Sequence, residues 1–213
     1  MSAHPWNKIS LADYEGHMAT PGVGQAAMLA RELQLALDHT RAQSLALVGC
    51  AGGNGLESRA CRELERVVCV DINPDFLEVL RARYAQQLRN LECHCGAIES
   101  CRGLEPVNLV FGGLVFEYTR LGEALDSIAR MLQAGGSLYA VLQMPAEGLA
   151  TITPSPYAQA LGAVVETFTY VPPRTLIALA AQRQLIEQEQ RIIKLPSGKC
   201  FTLVRFKKTG DSP

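Results

Sequence analysis

Residues 48 to 55 read VGCAGGNG, four glycines in eight positions, directly after the apolar run SLAL. Glycines so placed let the main chain turn tightly or let a ligand lie close against it. A second apolar run, VVCVD, ends in an acid, Asp71. A third group precedes both: Tyr14 and His17 in DYEGHMATPGVGQ are three apart, on one face if the stretch is helical. His17 titrates in the range useful to a general base, and Tyr14 and His17 are the candidate catalytic residues. The bland alternative is that both pack a lid and satisfy local backbone. Glu117 and Tyr118, just past the fourth strand, either reach the cleft that these residues would share or serve as surface or helix-start residues, and Trp6 could stack on a ligand or anchor a terminal arm.

The elements that must hold these residues alternate regularly. An amphipathic helix is expected over 22–39, then a buried strand over 44–49 and a helix carrying Leu56, Ala60 and Leu64 on one face. A strand over 67–71 leads to Asn73-Pro74, a cap and first-turn proline that open the next helix. Strands at about 91–95 and 107–111, a helix marked by Leu121, Leu125, Ile128 and Leu132 and ended by Gly135-Gly136, and a strand over 137–143 continue the rhythm. Residues 144–171 break it with prolines and weak periodicity. A helix from Pro172-Pro173 to about Gln182 and a hairpin of 185–195 with 200–208 close the chain.

This pattern predicts a doubly wound α/β fold: a Rossmann-like, seven-stranded, mostly parallel sheet with an antiparallel C-terminal hairpin strand and helices on both faces. One domain spans 1–213, divided into an N-terminal lid and helix (1–40), a cofactor-binding core (41–143), an acceptor-side insertion (144–171) and a closing helix and hairpin (172–208). Open sheets of this kind bind ligands beyond the carboxyl ends of the strands, where VGCAGGNG lies.

Composition narrows the partners. Of 213 residues, 48% are hydrophobic and 19% charged, and the net charge is -1, so no field favours nucleic acid or an anionic membrane. No apolar run approaches the roughly 20 residues that span a bilayer, and the start shows no signal pattern. A cytoplasmic protein is expected, a monomer or homodimer. Seven cysteines suit a reduced compartment as small buried hydrophobes, and Cys93-His94-Cys95 lacks zinc-site spacing, so no metal is expected.

Three glycine-loop chemistries compete. A phosphate loop needs Lys and Ser/Thr after its last glycine, whereas Gly55 is followed by Leu56-Glu57. A dinucleotide fingerprint counted from Gly49 finds Ala51 and Asn54 at its later glycine positions, a poor match. The run LALVGCAGGNGLE instead resembles the first motif of the class I S-adenosylmethionine-dependent methyltransferases, with Ala51 at the middle glycine. Asp71 stands where that family keeps its ribose-binding acid, about 20 residues after Gly49. GAIE (96–99) resembles the adenine-contacting turn, VNLVFGGL (107–114) the fourth-strand motif with Asn108 where Asp is common, and ARMLQAGGSLYAVLQ the fifth-strand segment.

The resemblance covers about 44–143 and implies S-adenosyl-L-methionine as cofactor. It places Gly49, Cys50, Ala51, Gly53, Asn54, Asp71, Ile72, Gly96, Ala97, Ile98, Phe111 and Gly112 against it. This cofactor has no phosphate, so the loop needs no cation; Asp71 would bond the ribose hydroxyls, with Ile72, Ala97 and Ile98 about the adenine. Where the family carries an acid two residues before the first glycine, this chain has Leu47, so another group must hold the methionine ammonium.

The acceptor expected is a small molecule. The Asp/Asn-Pro-Pro-aromatic motif of base-amine methyltransferases is replaced by FGGL, no Pro-Cys nucleophile occurs, and no acidic cluster suggests magnesium. The insertion, with Met144, Tyr157, Phe168 and Tyr170, could wall an acceptor pocket or simply pack on the sheet. The alternatives are a non-catalytic, methyltransferase-like binding module, which Leu47 suggests, and an NAD-dependent oxidoreductase.

Overall fold

The computed structural model describes residues 4–210; Met1 to Ala3, at the start of the expected lid, and Asp211 to Pro213 lie outside them. Two helices precede the sheet. Helix α1 (Leu11–Ala19) is capped by Ser10, whose hydroxyl accepts the Asp13 N–H. Helix α2 (Gln25–Thr40) buries Met28, Leu29, Leu33, Ala36 and Leu37, a stripe at helical spacing.

The core then runs β1 (Ser44–Val48), α3 (Arg59–Glu63), β2 (Arg66–Asp71), α4 (Pro74–Tyr84), β3 (Leu91–Cys95), β4 (Val107–Gly113), α5 (Leu121–Met131) and β5 (Leu132–Gln143). It ends with α6 (Gly162–Val165), α7 (Pro173–Ala181), β6 (Leu185–Lys194) and β7 (Cys200–Lys208). The seven strands lie in the order β3-β2-β1-β4-β5-β7-β6. The first five are parallel, and β7 is antiparallel to both β5 and β6. The seven-stranded α/β architecture expected from the alternation is the one observed.

Because β1 pairs with β2 on one side and β4 on the other, the chain changes winding direction beside β1. Val48 stands level with Val70 and Gly112, so three carboxyl ends open at one height. Both sheet faces are covered. Leu45, Leu47, Cys69 and Leu109 pack under α2 and α4, while Val48, Val70, Val110 and Leu138 pack under α5 and α7. Among the described residues, no helix is long and apolar enough to cross a membrane.

The structure differs from expectation after β1. Turns occupy 51–57, and α3 has only five residues. Gly53 and Gly55 take left-handed backbone (φ 86° and 91°), which no helix continues through, so helix begins only at the Ser58 cap. Leu56 and Leu64 are nevertheless buried as expected. Strand β5 also begins five residues earlier than the expected 137, through an irregularity in its pairing with β4.

The insertion contains one short helix, α6, and it packs on the N-terminal segment rather than on the sheet. Ile9, Ala51, Phe76, Leu161 and Val164 form a small third core, flanked by Trp6, Tyr14 and Tyr118. The Tyr157 ring lies over Gly16, and His17 Nδ1 shares a 2.8 Å hydrogen bond with the Ser155 hydroxyl. The arm, α1 and the insertion together roof the open end of the sheet.

Candidate active site

The loop after β1 is built around Asp71. Its Oδ2 accepts the Ala51 N–H at 2.8 Å and its Oδ1 the Asn73 N–H at 2.9 Å, which ties the glycine loop to the end of β2. The carboxyl is nearly buried; desolvation pushes it above its ordinary range while those backbone donors pull it down. Gly49 sits at φ 65°, and a Cβ there would come within 2.5 Å of Val115, so the loop and the chain after β4 meet in contact. Ala51 takes φ 44°, a left-handed conformation unusual for a residue with a Cβ.

Asn73 does more than cap α4. Its Oδ1 accepts the Asp75 and Phe76 N–H groups, and its Nδ2 donates to the Trp6 and Ile9 carbonyls. The N-terminal arm is thus fastened to the residue two beyond Asp71. The sequence showed only the cap; a long-range side-chain bond to backbone leaves no local signal.

Two cavities meet at this loop. The larger, about 470 Å³, is lined by Gly49, Ala51, Asp71 and Ile72, by Gly96 to Ile98, and by Leu114, Val115 and Glu117 to Arg120. Trp6 and Tyr14 stand over it, and Thr167 and Thr169 of the insertion complete the wall. The smaller, about 270 Å³, lies under α1 and α2, lined by Leu47, Cys50, Asn54 and Phe111 together with Glu15, Glu57 and Arg83. Arg83 pairs with Glu15 through both terminal guanidinium nitrogens and reaches the Gly52 carbonyl at 3.3 Å. Tyr14, Gly49, Ala51 and Gly113 border both spaces.

Most of the expected cofactor residues therefore converge. Gly49 and Ala51 border both cavities, Asp71, Ile72, Gly96, Ala97 and Ile98 the larger, and Cys50, Asn54 and Phe111 the smaller. Gly53 and Gly112 border neither: a Cβ on Gly53 would meet the Tyr84 ring at 2.8 Å, and one on Gly112 the Phe116 ring at the same distance. Their smallness serves packing behind the site. Asn108 lies at the opposite end of β4, where its Oδ1 accepts from the Gln43 and Ser44 N–H groups.

Of the two catalytic candidates, Tyr14 borders both cavities and His17 neither, though both line a third, smaller space. Tyr14 stands at the junction of the cavities, its hydroxyl pushed above its ordinary range by burial and by nearby Asp71. His17 is buried and borders a small space of about 60 Å³ that it shares with Tyr14, Gln25, Gln143 and Thr151. Burial, and secondarily Lys199, lowers its pKa. Of the insertion aromatics, Phe168 borders that small space and meets Tyr118 and Tyr170 edge to face, while Tyr157 covers α1.

Glu117 is buried in the turn Phe116–Tyr118 and borders the large cavity. Its Oε1 accepts the Gln143 N–H at 2.6 Å, and its Oε2 has no partner. Desolvation pushes this carboxyl up to about 7.

Residues 47–140, just under half of the chain, match the family model described as a methyltransferase domain. The sheet built around these residues has the fold of the class I methyltransferases. Solved structures agree on its fold. The N-methyltransferase NodS from Bradyrhizobium japonicum WM9, in complex with S-adenosyl-L-homocysteine, is 17% identical, with 91% of each chain covered and a TM-score of 0.69. The YcgJ protein from Bacillus subtilis is 12% identical over 84% of this chain and 99% of that one, TM-score 0.64. The [4+2]-cyclase SpnF is 12% identical over 84% and 81%, TM-score 0.65. At such identities the likeness concerns the fold, and a cyclase on the same methyltransferase-like frame shows that the frame does not dictate the reaction. No curated protein matches the chain.

Proposed function

We propose that this domain transfers a methyl group from S-adenosyl-L-methionine to a small-molecule acceptor. The observation that carries the reading is the Asp71 carboxyl lining a cavity of about 470 Å³, beside a glycine loop with no lysine or arginine of its own. Each Asp71 oxygen takes one backbone N–H and keeps a further lone pair for a ribose hydroxyl. Ile72, Ala97 and Ile98 offer apolar surface for adenine. The smaller cavity suits the amino-acid end. There Leu47 is apolar, but Glu15 and Arg83 present a carboxylate to the ammonium and a guanidinium to the carboxylate.

When bound, this cofactor supplies a methyl carbon on a positively charged sulfur, already reactive toward a nucleophile. What the chain contributes is alignment and exclusion of water. The arm and α1 act as a lid, fastened by Asn73 beside the ribose acid and by His17 to the insertion. The domain is read as cytoplasmic, a monomer or homodimer that needs neither nucleic acid nor membrane.

Thermal-shift and calorimetric titrations test the reading. S-adenosyl-L-homocysteine at 100 times its Kd should add about 2.7 kcal/mol. That corresponds to a Tm rise of roughly 5–10 °C for a chain of this size. No response to it or to S-adenosyl-L-methionine refutes the reading, and a response to NAD(H) alone supports the oxidoreductase instead. Binding without methyl transfer to any acceptor supports the binding module.

A further inference from the structure

Glu117 presents a buried carboxylate oxygen that accepts nothing. A polar atom in that position is costly to bury unless something donates to it. Among the described residues no cation is bonded to this carboxyl: its one partner is the Gln143 backbone N–H. The same cavity wall carries a row of four aromatic rings in mutual contact. Phe76 and Tyr14 have centroids 6.0 Å apart, Tyr14 and Trp6 5.8 Å, and Trp6 and Tyr118 5.0 Å.

Charge on the wall points the same way. Asp71, Glu99 and Glu117 stand against a single guanidinium, Arg120, which is paired with Glu123 at 2.9 Å. An anionic acceptor would meet repulsion there. A hydroxyl would satisfy the free oxygen yet gain nothing special from the rings. A protonated nitrogen gains from both, through a charge-assisted hydrogen bond and attraction to ring faces within about 6 Å.

We propose that Glu117 and the Trp6–Tyr118 aromatic row bind the protonated nitrogen of the methyl acceptor, which makes the acceptor an amine. The proposal rests on the methyltransferase reading above. Glu117 then has a second task. An ammonium has no lone pair to attack with, so one N–H bond must break first. Its proton forms an O–H bond on the Glu117 carboxylate, its electron pair stays on nitrogen, and the carboxyl later releases the proton to water. A carboxyl held near neutrality by burial is suited to that exchange.

The test is calorimetric and needs no turnover. Protein saturated with S-adenosyl-L-homocysteine is titrated with methylammonium, ethanolammonium and benzylammonium chlorides, with benzyl alcohol as the neutral comparison. At least one ammonium should bind at millimolar concentration and more tightly than the alcohol. Glu117→Gln keeps an oxygen for the Gln143 N–H; it should weaken that ammonium about tenfold or more, at unchanged S-adenosyl-L-homocysteine affinity. Trp6→Leu, on the arm, should weaken the same ammonium by a smaller factor and serves as the second variant. Equal ammonium affinity in wild type and both variants, or no ammonium binding by the loaded protein, overturns this proposal alone. Failure of the wild type to bind S-adenosyl-L-homocysteine overturns the function reading and this proposal with it.

Discussion

Replacing Glu117 with Gln should stabilise the folded protein at neutral and alkaline pH and leave it unchanged in acid. The carboxyl titrates near 7 when folded, against an ordinary 4.5, because burial disfavours its charged form. Holding that carboxylate ionised in the fold therefore costs about 3 kcal/mol. A raised carboxyl means that the folded state keeps its proton where the unfolded chain has lost it. Its stabilising contribution is full below about 4.5 and drains away as pH rises to about 7, beyond which the folded carboxyl ionises too. An amide does not titrate. The variant should thus match wild type near pH 4.5 and exceed it by about 3 kcal/mol near pH 8. Urea unfolding of both proteins at intervals of about half a pH unit measures this, since the linear extrapolation resolves such differences. His17, whose pKa is lowered by burial, contributes with the opposite sign: its stability is lost as pH falls. Subtracting the two curves removes it, because both proteins contain it. A difference that stays flat between about pH 4.5 and 8 would refute the argument, since the carboxyl would then feel no desolvation.

Other substitutions separate binding from packing. Asp71→Asn should weaken S-adenosyl-L-homocysteine by about 1.5–3 kcal/mol in calorimetry, through loss of a charged acceptor and one mismatched backbone donor; unchanged affinity removes the ribose role. Arg83→Met and Glu15→Gln should each change stability by under about 0.5 kcal/mol, since the pair is more than a third exposed. Each should weaken S-adenosyl-L-homocysteine about tenfold while leaving methylthioadenosine, which lacks the amino-acid end, unaffected; equal losses for both ligands would exclude the assignment. Ala51→Gly should be neutral within about 0.5 kcal/mol, because relief of left-handed strain offsets the lost methyl and added chain freedom. Ala140→Gly, at a fully buried position of β5, should cost about 1 kcal/mol or more by urea unfolding.

The sheet was legible because strands of a covered parallel sheet are short apolar runs, and helices between them show their buried stripe at a period of 3.6. Asp71 was legible for a related reason: a charge ending such a run has few places to sit except the open edge of the sheet. The glycines were harder. Each of the four in VGCAGGNG looked available to a ligand, yet Gly53 is fixed by the Tyr84 ring and Gly55 by Ala30 and Leu33 of α2, contacts between distant segments. Sequence distance hides the remaining site residues in the same way. Glu15 and Arg83 become neighbours only when α1 folds over α4, and Asn73 reaches the arm across 67 positions. Glu117 sits one residue past Phe116, whose ring packs on Gly112, and that packing carries the carboxyl into the interior. A glutamate beside a phenylalanine in a turn ordinarily reads as surface. The proposed acceptor side of this site is thus written in which residues are forced inward by their neighbours, whereas the proposed cofactor side is written in the strand ends themselves.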